Sequence, residues 1–245
     1  MAGAEHNMET AAGQRVYLWL AALFVTSLLM ANVIGVKLFL FKVNLSGLQF
    51  DIEHTAGMLP FPLTFVLTDL LNEYYGKRGA RRVVYLAFAM AALAFVFIAA
   101  ARALPILEGD GIATQEAFEN IFGSSAAMYV CSIAAFLVGS QLDIVIFGVF
   151  KRLTGGRMVW LRATGSTVVS QLFDSFIITI LFFMVALPVV SDAPPKELGW
   201  VVQVALTGYI LKFVIAVALT PVIYAGRWAM REWFGLVPAV EGLAP

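Results

Sequence analysis

The 245-residue chain is 61% hydrophobic and only 13% charged, whereas about a quarter of the residues in soluble domains are charged. This composition excludes an ordinary soluble domain and indicates a protein that lies mostly in lipid. Basic and acidic residues both number 16, so the zero net charge gives no reason to expect a nucleic-acid partner. One cysteine, and two histidines outside the apolar stretches, exclude a disulfide framework and a Cys- or His-based metal site within the membrane, and we expect no cofactor.

Six apolar stretches follow one another along the chain. A spanning helix needs about 20 mostly apolar residues, and stretches of that length occupy roughly 16–39, 58–76, 83–104, 125–150, 163–187 and 199–225. We therefore predict an all-α membrane protein, a bundle of six transmembrane helices over residues 16–225. Residues 1–15 are polar and lack a basic start, which predicts an N-terminal tail and not a signal peptide, and residues 226–245 form a C-terminal tail.

Basic residues determine the predicted orientation. They concentrate in the loops after the second and fourth spans, at Lys77, Arg78, Arg81, Arg82, Lys151, Arg152, Arg157 and Arg162. The opposite loops are mainly acidic. Because positive loops stay in the cytoplasm, both termini and both tails should be cytoplasmic, which requires an even number of spans.

Prolines and one capping residue predict local irregularities. Pro60 and Pro62 indicate either a late start or a break of the second helix, and Pro221 indicates a kink in the sixth. The longest connection contains apolar residues at helical spacing behind Thr114. We expect a short interfacial helix there, capped by that threonine.

Ionisable and amide side chains occur at bilayer depth, where a charge costs about 2.5–3.5 kcal/mol on insertion scales. They are Asp69, Asn72 and Glu73 in the second span, Gln141 and Asp143 in the fourth, Gln171 and Asp174 in the fifth, and Lys212 near the middle of the sixth. Spacings of three and four place the residues of the second span on one face. Gln141 points about 200° away from Asp143 around its helix.

Some of these residues have a structural alternative. Glu73 lies near the cytoplasmic end, close enough in sequence to pair with Lys77 or Arg81. Asp143 lies two turns before Lys151 and has the same alternative. Intramembrane ionisable groups are functional by default, and this expectation is strongest for the residues closest to the bilayer centre: Asp69, Asp174 and Lys212.

The excess of carboxylates over Lys212 indicates a ligand. A carboxylate accepts two parallel N–H bonds, and an amide both donates and accepts. Such a set suits a flat heterocycle with an amidine-like donor edge and a carbonyl, such as a guanine analogue. Aromatic residues near these helices are candidates for stacking on it, although such residues commonly face lipid or the core: Phe61, Phe65, Tyr74, Phe147, Phe173 and Tyr209.

Three motifs resemble those of the queuosine-precursor transporters, a family also described as vitamin-uptake transporters. The motifs are Phe61-Pro-Leu-Thr-Phe-Val-Leu-Thr-Asp-Leu-Leu-Asn-Glu-Tyr-Tyr-Gly, Ser140-Gln-Leu-Asp and Arg162-Ala-Thr-Gly-Ser-Thr-Val-Val-Ser-Gln-Leu-Phe-Asp-Ser. The resemblance implies a multi-pass carrier of the bacterial inner membrane and not an enzyme. It also implies import of 7-cyano-7-deazaguanine and 7-aminomethyl-7-deazaguanine, bases salvaged for the modified tRNA nucleoside queuosine.

Two other functions stay open at this point. The chain has no nucleotide-binding P-loop, so it is compatible with a substrate-binding membrane subunit that takes up a vitamin-like heterocycle with a separate ATP-driven module. An intramembrane enzyme with two aspartates is the other, but the sequence contains neither a Gly-x-Gly-Asp nor a His-Glu-x-x-His motif. Assembly into a homo-oligomer is left open.

Overall fold

A computed structural model describes residues 2–35, 37–45, 48–107, 114–122, 126–154, 159–191 and 194–239. Within these ranges the helices are α1 (Ala2–Glu9), α2 (Ala11–Ile34), α3 (Phe61–Arg102), α4 (Gln115–Phe122), α5 (Ala126–Leu153), α6 (Val159–Ile180), α7 (Leu187–Ser191), α8 (Leu198–Ala218) and α9 (Thr220–Glu232). A 3-10 turn occupies Ala56–Met58, and a π-helical segment, Leu181–Ala186, joins α6 to α7. The strands are β1 (Leu38–Leu45) and β2 (Leu48–Thr55).

Five helical segments of the described chain are long and apolar enough to cross a membrane: Ala11–Ile34, Ala56–Arg102, Met128–Leu153, Gly165–Val189 and Leu198–Ala218. The chain is therefore a predominantly helical, multi-pass membrane protein, as the composition predicts. The second and third predicted spans both fall in the 47-residue segment that contains α3. Arg157, one of the residues that predict the orientation, lies outside the described residues.

A single residue interrupts α3. Gly76 has φ 67° and ψ 177°, a combination that is essentially restricted to glycine. Before it, the helix runs antiparallel to α2, since Gly57 packs on Ala31 near the end of α2 and the Tyr75 hydroxyl donates to the Gly13 carbonyl near its start, at 2.7 Å.

After Gly76 the chain runs in the opposite direction. The Tyr129 hydroxyl, near the start of α5, donates to the Ala91 carbonyl at 3.1 Å. Lys151, near the end of the same helix, lies 3.1 Å from the Glu73 carboxylate. Moving from Glu73 to Ala91 thus means moving back along α5, so the two halves of α3 diverge from Gly76 as separate helices.

The hydrophobic core lies between α2, α3 and α5. Its largest fully buried side chains include Phe24, Tyr74 and Phe147. The Phe24 ring also packs on Phe136 of α5, with ring centroids 5.9 Å apart. These three helices form an apolar unit against which the more polar helices pack.

The predicted local irregularities are confirmed. α3 begins only at Phe61, with proline in its first turn. α8 ends at Ala218 and α9 begins at Thr220, so the predicted sixth span is two helices that meet beside Pro221. α4 occupies the predicted connection, and the Thr114 hydroxyl accepts the Ala117 N–H at 3.1 Å as its cap.

A hairpin replaces the end of the first predicted span. α2 ends at Ile34, and β1 pairs with β2 in antiparallel register, with Lys42 opposite Asp51. Residues 42–45 and 48–53 alternate between polar and apolar types on either side of Ser-Gly, which is the signature of a hairpin. The prediction of helix up to residue 39 was wrong because it followed hydrophobicity and ignored this alternation.

Gly76→Ala should destabilise the protein, because the backbone of Gly76 is in a region that alanine avoids. The cost of such a conformation is about 1–3 kcal/mol, so we expect a lower midpoint of thermal unfolding in detergent. Gly208→Ala is the matched control, since Gly208 is helical and has open space where a Cβ would lie. Equal midpoints for both variants would contradict the proposed strain at the reversal.

Candidate functional site

Close packing of α5 on α6 brings their polar residues together. A Cβ atom added to Gly139 would lie 3.1 Å from the Cβ of Asp174, and one added to Gly165 would lie 3.1 Å from the Phe150 ring. Small residues permit such approaches between membrane helices. The two helices are antiparallel, and the face of α6 that carries Asp174 lies against α5.

Asp143 of α5 is held by hydroxyl groups of α6. Its Oδ1 accepts hydrogen bonds from Ser170 Oγ at 3.2 Å and from Thr167 Oγ1 at 3.4 Å. All three residues are buried. The sequence predicts Asp143 and Ser170 but not Thr167, which lies one turn before Ser170 on the same face.

Lys212 and Asp174 form an ion pair, here called the central pair. Lys212 Nζ donates to Asp174 Oδ2 at 2.5 Å, and the two side chains are 12% and 6% exposed. The Phe61 ring lies beside the pair, with its centroid 5.3 Å from Nζ. Lys212 thus neutralises one of the intramembrane carboxylates for which it is the expected counter-charge.

The face of α3 predicted from spacing meets α5. Asn72 Nδ2 donates to the carbonyl of Ile144, the residue after Asp143, at 3.2 Å. Asp69, one turn earlier on α3, is 2% exposed. The contact of Asn72 places this face of α3 at the level of Asp143, one turn along α5 from Gly139 and the central pair.

Two glutamine side chains have polar atoms without a hydrogen-bond partner within the described part of the chain. They are both amide atoms of Gln141 and Oε1 of Gln171, and all three atoms are buried. A buried polar group left unsatisfied costs about 1–3 kcal/mol. Both amides can therefore accept a polar solute without breaking an existing bond at these atoms.

Glu73 has two cationic partners. Lys151 Nζ lies 3.1 Å from Oε2, and Arg227 Nη2 lies 3.0 Å from Oε1. The alternative that Glu73 pairs with a basic residue is correct, but the partners expected there, Lys77 and Arg81, are wrong. The reversal at Gly76 turns the following residues into another helix, and α5 and α9 supply the cations instead.

The aromatic candidates occupy different surroundings. Phe65 is buried and packs edge-on against Phe61, with centroids 5.0 Å apart. Phe147 is fully buried in the core, whereas Phe173 is 49% exposed. Tyr209 is half-buried, with its ring 6.5 Å from that of Phe213 on the same helix. Of the predicted set, Phe61 and Phe65 lie nearest to the central pair.

Comparison with known families identifies the chain. Residues 55–226 match the family described as "Putative vitamin uptake transporter", which is more than half of the sequence. The chain belongs to this transporter family. The matched residues include the central pair, Asp143 and Glu73, whereas Arg227 lies one position beyond them.

Relatives of the chain carry names that specify a solute. The chain is 32% identical over 180 residues to the "Probable queuosine precursor transporter" of Bacillus subtilis, covering 73% of each chain. It is 31% identical over 196 residues to the "Queuosine precursor transporter" of Escherichia coli, covering 80% of this chain and 81% of that one. A Haemophilus influenzae protein named "Probable queuosine precursor transporter" is 23% identical over 214 residues, 84% of this chain and 83% of its own. No solved structure matches the chain.

Lys212→Met should destabilise this family member, because it leaves the buried Asp174 carboxylate without its cation. Breaking a buried ion pair from one side costs about 3–5 kcal/mol, which thermal unfolding of the detergent-purified protein would detect. The variant with both Asp174→Asn and Lys212→Met removes both charges and should recover most of the loss. A Lys212→Met variant as stable as wild type would contradict this account of the central pair.

Proposed function

We propose that the chain imports queuosine precursors, 7-deazaguanine bases such as the 7-cyano and 7-aminomethyl forms, across the bacterial inner membrane. The observation that carries this proposal is full-family similarity: identities of 31–32% over 73–80% of the chain to proteins named as queuosine precursor transporters. The polar residues at bilayer depth supply the chemistry that such a solute needs.

The proposed solute site comprises Asp69, Asn72, Glu73, Gln141, Asp143, Gln171, Asp174 and Lys212. A deazaguanine base presents adjacent N–H donors that a carboxylate accepts in parallel, and a carbonyl that an amide or ammonium group binds. Asp174 and Lys212 offer both kinds of group 2.5 Å apart. Binding would exchange their mutual contact for contacts with the base, so neither charge is left bare.

Unpaired amides and nearby rings complete the proposed site. The buried amide atoms of Gln141 and Gln171 that lack partners in the described chain gain hydrogen bonds from a polar base. Phe61, beside Lys212, and Phe65, which packs on it, are the stacking residues that these contacts favour. Phe147, Phe173 and Tyr209 stay weaker candidates, the first in the core and the second exposed.

Six spans with cytoplasmic termini are the proposed topology. A 47-residue helical segment would be about 70 Å long at 1.5 Å per residue, more than twice the hydrocarbon thickness of about 30 Å. The reversal at Gly76 supports dividing it into two spans. With the basic loops inside, residues 1–15 and 226–245 are cytoplasmic and residues 16–225 form the transmembrane transporter domain.

The alternatives have less support. The relatives are named as transporters, which favours neither an enzyme nor a subunit that depends on an ATP-driven module. Purified chain alone in liposomes separates the two transport models. Uptake of labelled base without ATP and without a second protein supports a stand-alone carrier, and uptake only after adding such a module supports the other.

Substitutions at the charged centre should reduce uptake by cells that lack their own salvage carrier. We expect Asp174→Asn, Asp69→Asn and Lys212→Met each to lower the initial rate of labelled deazaguanine uptake by about tenfold or more, the change that corresponds to about 1.4 kcal/mol of lost binding. Expression in the membrane is measured for each variant so that the rates refer to equal amounts of protein.

Glu119→Gln is the matched control for this experiment. Glu119 pairs with Arg102 at 2.7 Å on partly exposed side chains, away from the proposed site. Its uptake should equal that of wild type. Unchanged uptake in all three charged-centre variants would remove the site assignment while leaving the family membership intact.

A further inference from the structure

Both chain termini bind the reversal at Gly76. Asn7 of α1, 1% exposed, donates through Nδ2 to the carbonyls of Tyr74 at 2.8 Å and Val237 at 2.7 Å, and its Oδ1 accepts the Val237 N–H at 3.1 Å. The Ala239 N–H donates to the Glu73 carbonyl at 2.7 Å. We call α1 and residues 236–239 together the terminal clamp.

The terminal clamp covers the turn itself. A Cβ added to Gly76 would lie 3.8 Å from the Ala4 Cβ and 4.0 Å from the Ala239 Cβ. One terminus therefore lies on each side of the same residue. The clamp joins the first and last parts of the chain at the end of the bundle where Glu73 lies.

Beneath the clamp, Glu73 joins three helices. Its carboxylate contacts Lys151 of α5 and Arg227 of α9, and the side chains are 4%, 10% and 18% exposed. Lys151 Nζ also donates to the Glu73 carbonyl at 3.2 Å, and the Tyr74 hydroxyl donates to the Arg227 carbonyl at 3.1 Å. Closure here depends on ionic and hydrogen-bonded contacts, which add less stability than apolar packing but have discrete partners that can be exchanged.

The element that supplies Arg227 has a break at its base. α9 is separated from α8 at Leu219, and Pro221 has no N–H to continue the helical hydrogen bonds. α8 carries Lys212 of the central pair. The chain thus connects the proposed solute site to the Glu73 contacts through one helix interruption.

We propose that Glu73, Lys151 and Arg227 form a gate at this end of the transport path, and that the terminal clamp holds the gate shut. The gate opens when α9 moves about the break at Leu219 and Arg227 leaves Glu73. In this role Glu73 controls access to the site and does not hold the solute. The inference rests on the proposed function, since a gate presupposes a transported solute.

Accessibility labelling tests the gate without measuring transport. Ser166 is fully buried on α6, one turn from Ser170 on the side towards Gly165 and Phe150. In a Cys131→Ala background, Ser166→Cys is the only thiol, and inside-out vesicles expose it to a membrane-impermeant maleimide only when the proposed gate opens. Glu73→Gln should raise the labelling rate about tenfold, equivalent to about 1.4 kcal/mol in the closed-to-open equilibrium.

Two further variants and one control make this result specific. Lys151→Gln and Arg227→Gln each remove one cation and should raise labelling in the same direction, so the test stands if Glu73→Gln does not fold. Glu119→Gln breaks the Arg102 pair of α3 and α4 and should label as slowly as the parent. Parental labelling rates in all three gate variants, or an equal increase in Glu119→Gln, would overturn the gate.

Cross-linking tests the terminal clamp. Ala4→Cys and Ala239→Cys in the Cys131→Ala background place thiols on both sides of Gly76, and a short disulfide-containing bis-thiol reagent should join them. We expect uptake to stop on cross-linking and to return after reduction, with each single-cysteine variant unaffected by the reagent. Failure to cross-link, or full uptake by the cross-linked protein, would overturn the clamp. Absence of uptake in untreated wild type would instead reject the proposed function.

Discussion

The need to give every buried charge a partner determines how the polar helices of this protein pack. In lipid there is no water to solvate a carboxylate, so a charge needs a cation, hydroxyl donors or a solute. Asp174 is paired with Lys212, Asp143 is held by hydroxyls and Glu73 is held by two cations. Each of these contacts joins different helices, so the charges fix the relative positions of α3, α5, α6, α8 and α9.

The same contacts divide the bundle into an apolar part and a polar part. α2, α3 and α5 share a core of large apolar side chains such as Phe24 and Phe147. α6, α8 and α9 contact that unit largely through small residues, hydroxyls and ion pairs, as at Gly139 and Ser170. Apolar packing resists rearrangement, whereas an ion pair can be exchanged for another polar partner. The polar part is therefore where a solute can alter helix contacts at the lowest cost.

The sequence was sufficient to predict which polar residues lie in the bundle, but not which residues contact them. Spacing along one helix places Asp143 and Ser170 on defined faces, yet the partner of Glu73 depends on how three helices meet after Gly76. Proximity in sequence favoured Lys77, and tertiary structure supplied Lys151 and Arg227. The hairpin was missed for a different reason, because hydrophobicity extends α2 by length alone while the alternation over 42–53 marks the strands.

The break beside Pro221 gives these charges a mechanical connection. Lys212 lies before it, in contact with α6, and Arg227 lies after it, in contact with α3. A continuous helix would move both cations together, so release of one would displace the other by rigid-body motion. An interrupted helix lets one contact persist while the other is exchanged. Alternating access requires this independence, since the two ends of the path must not open at the same time.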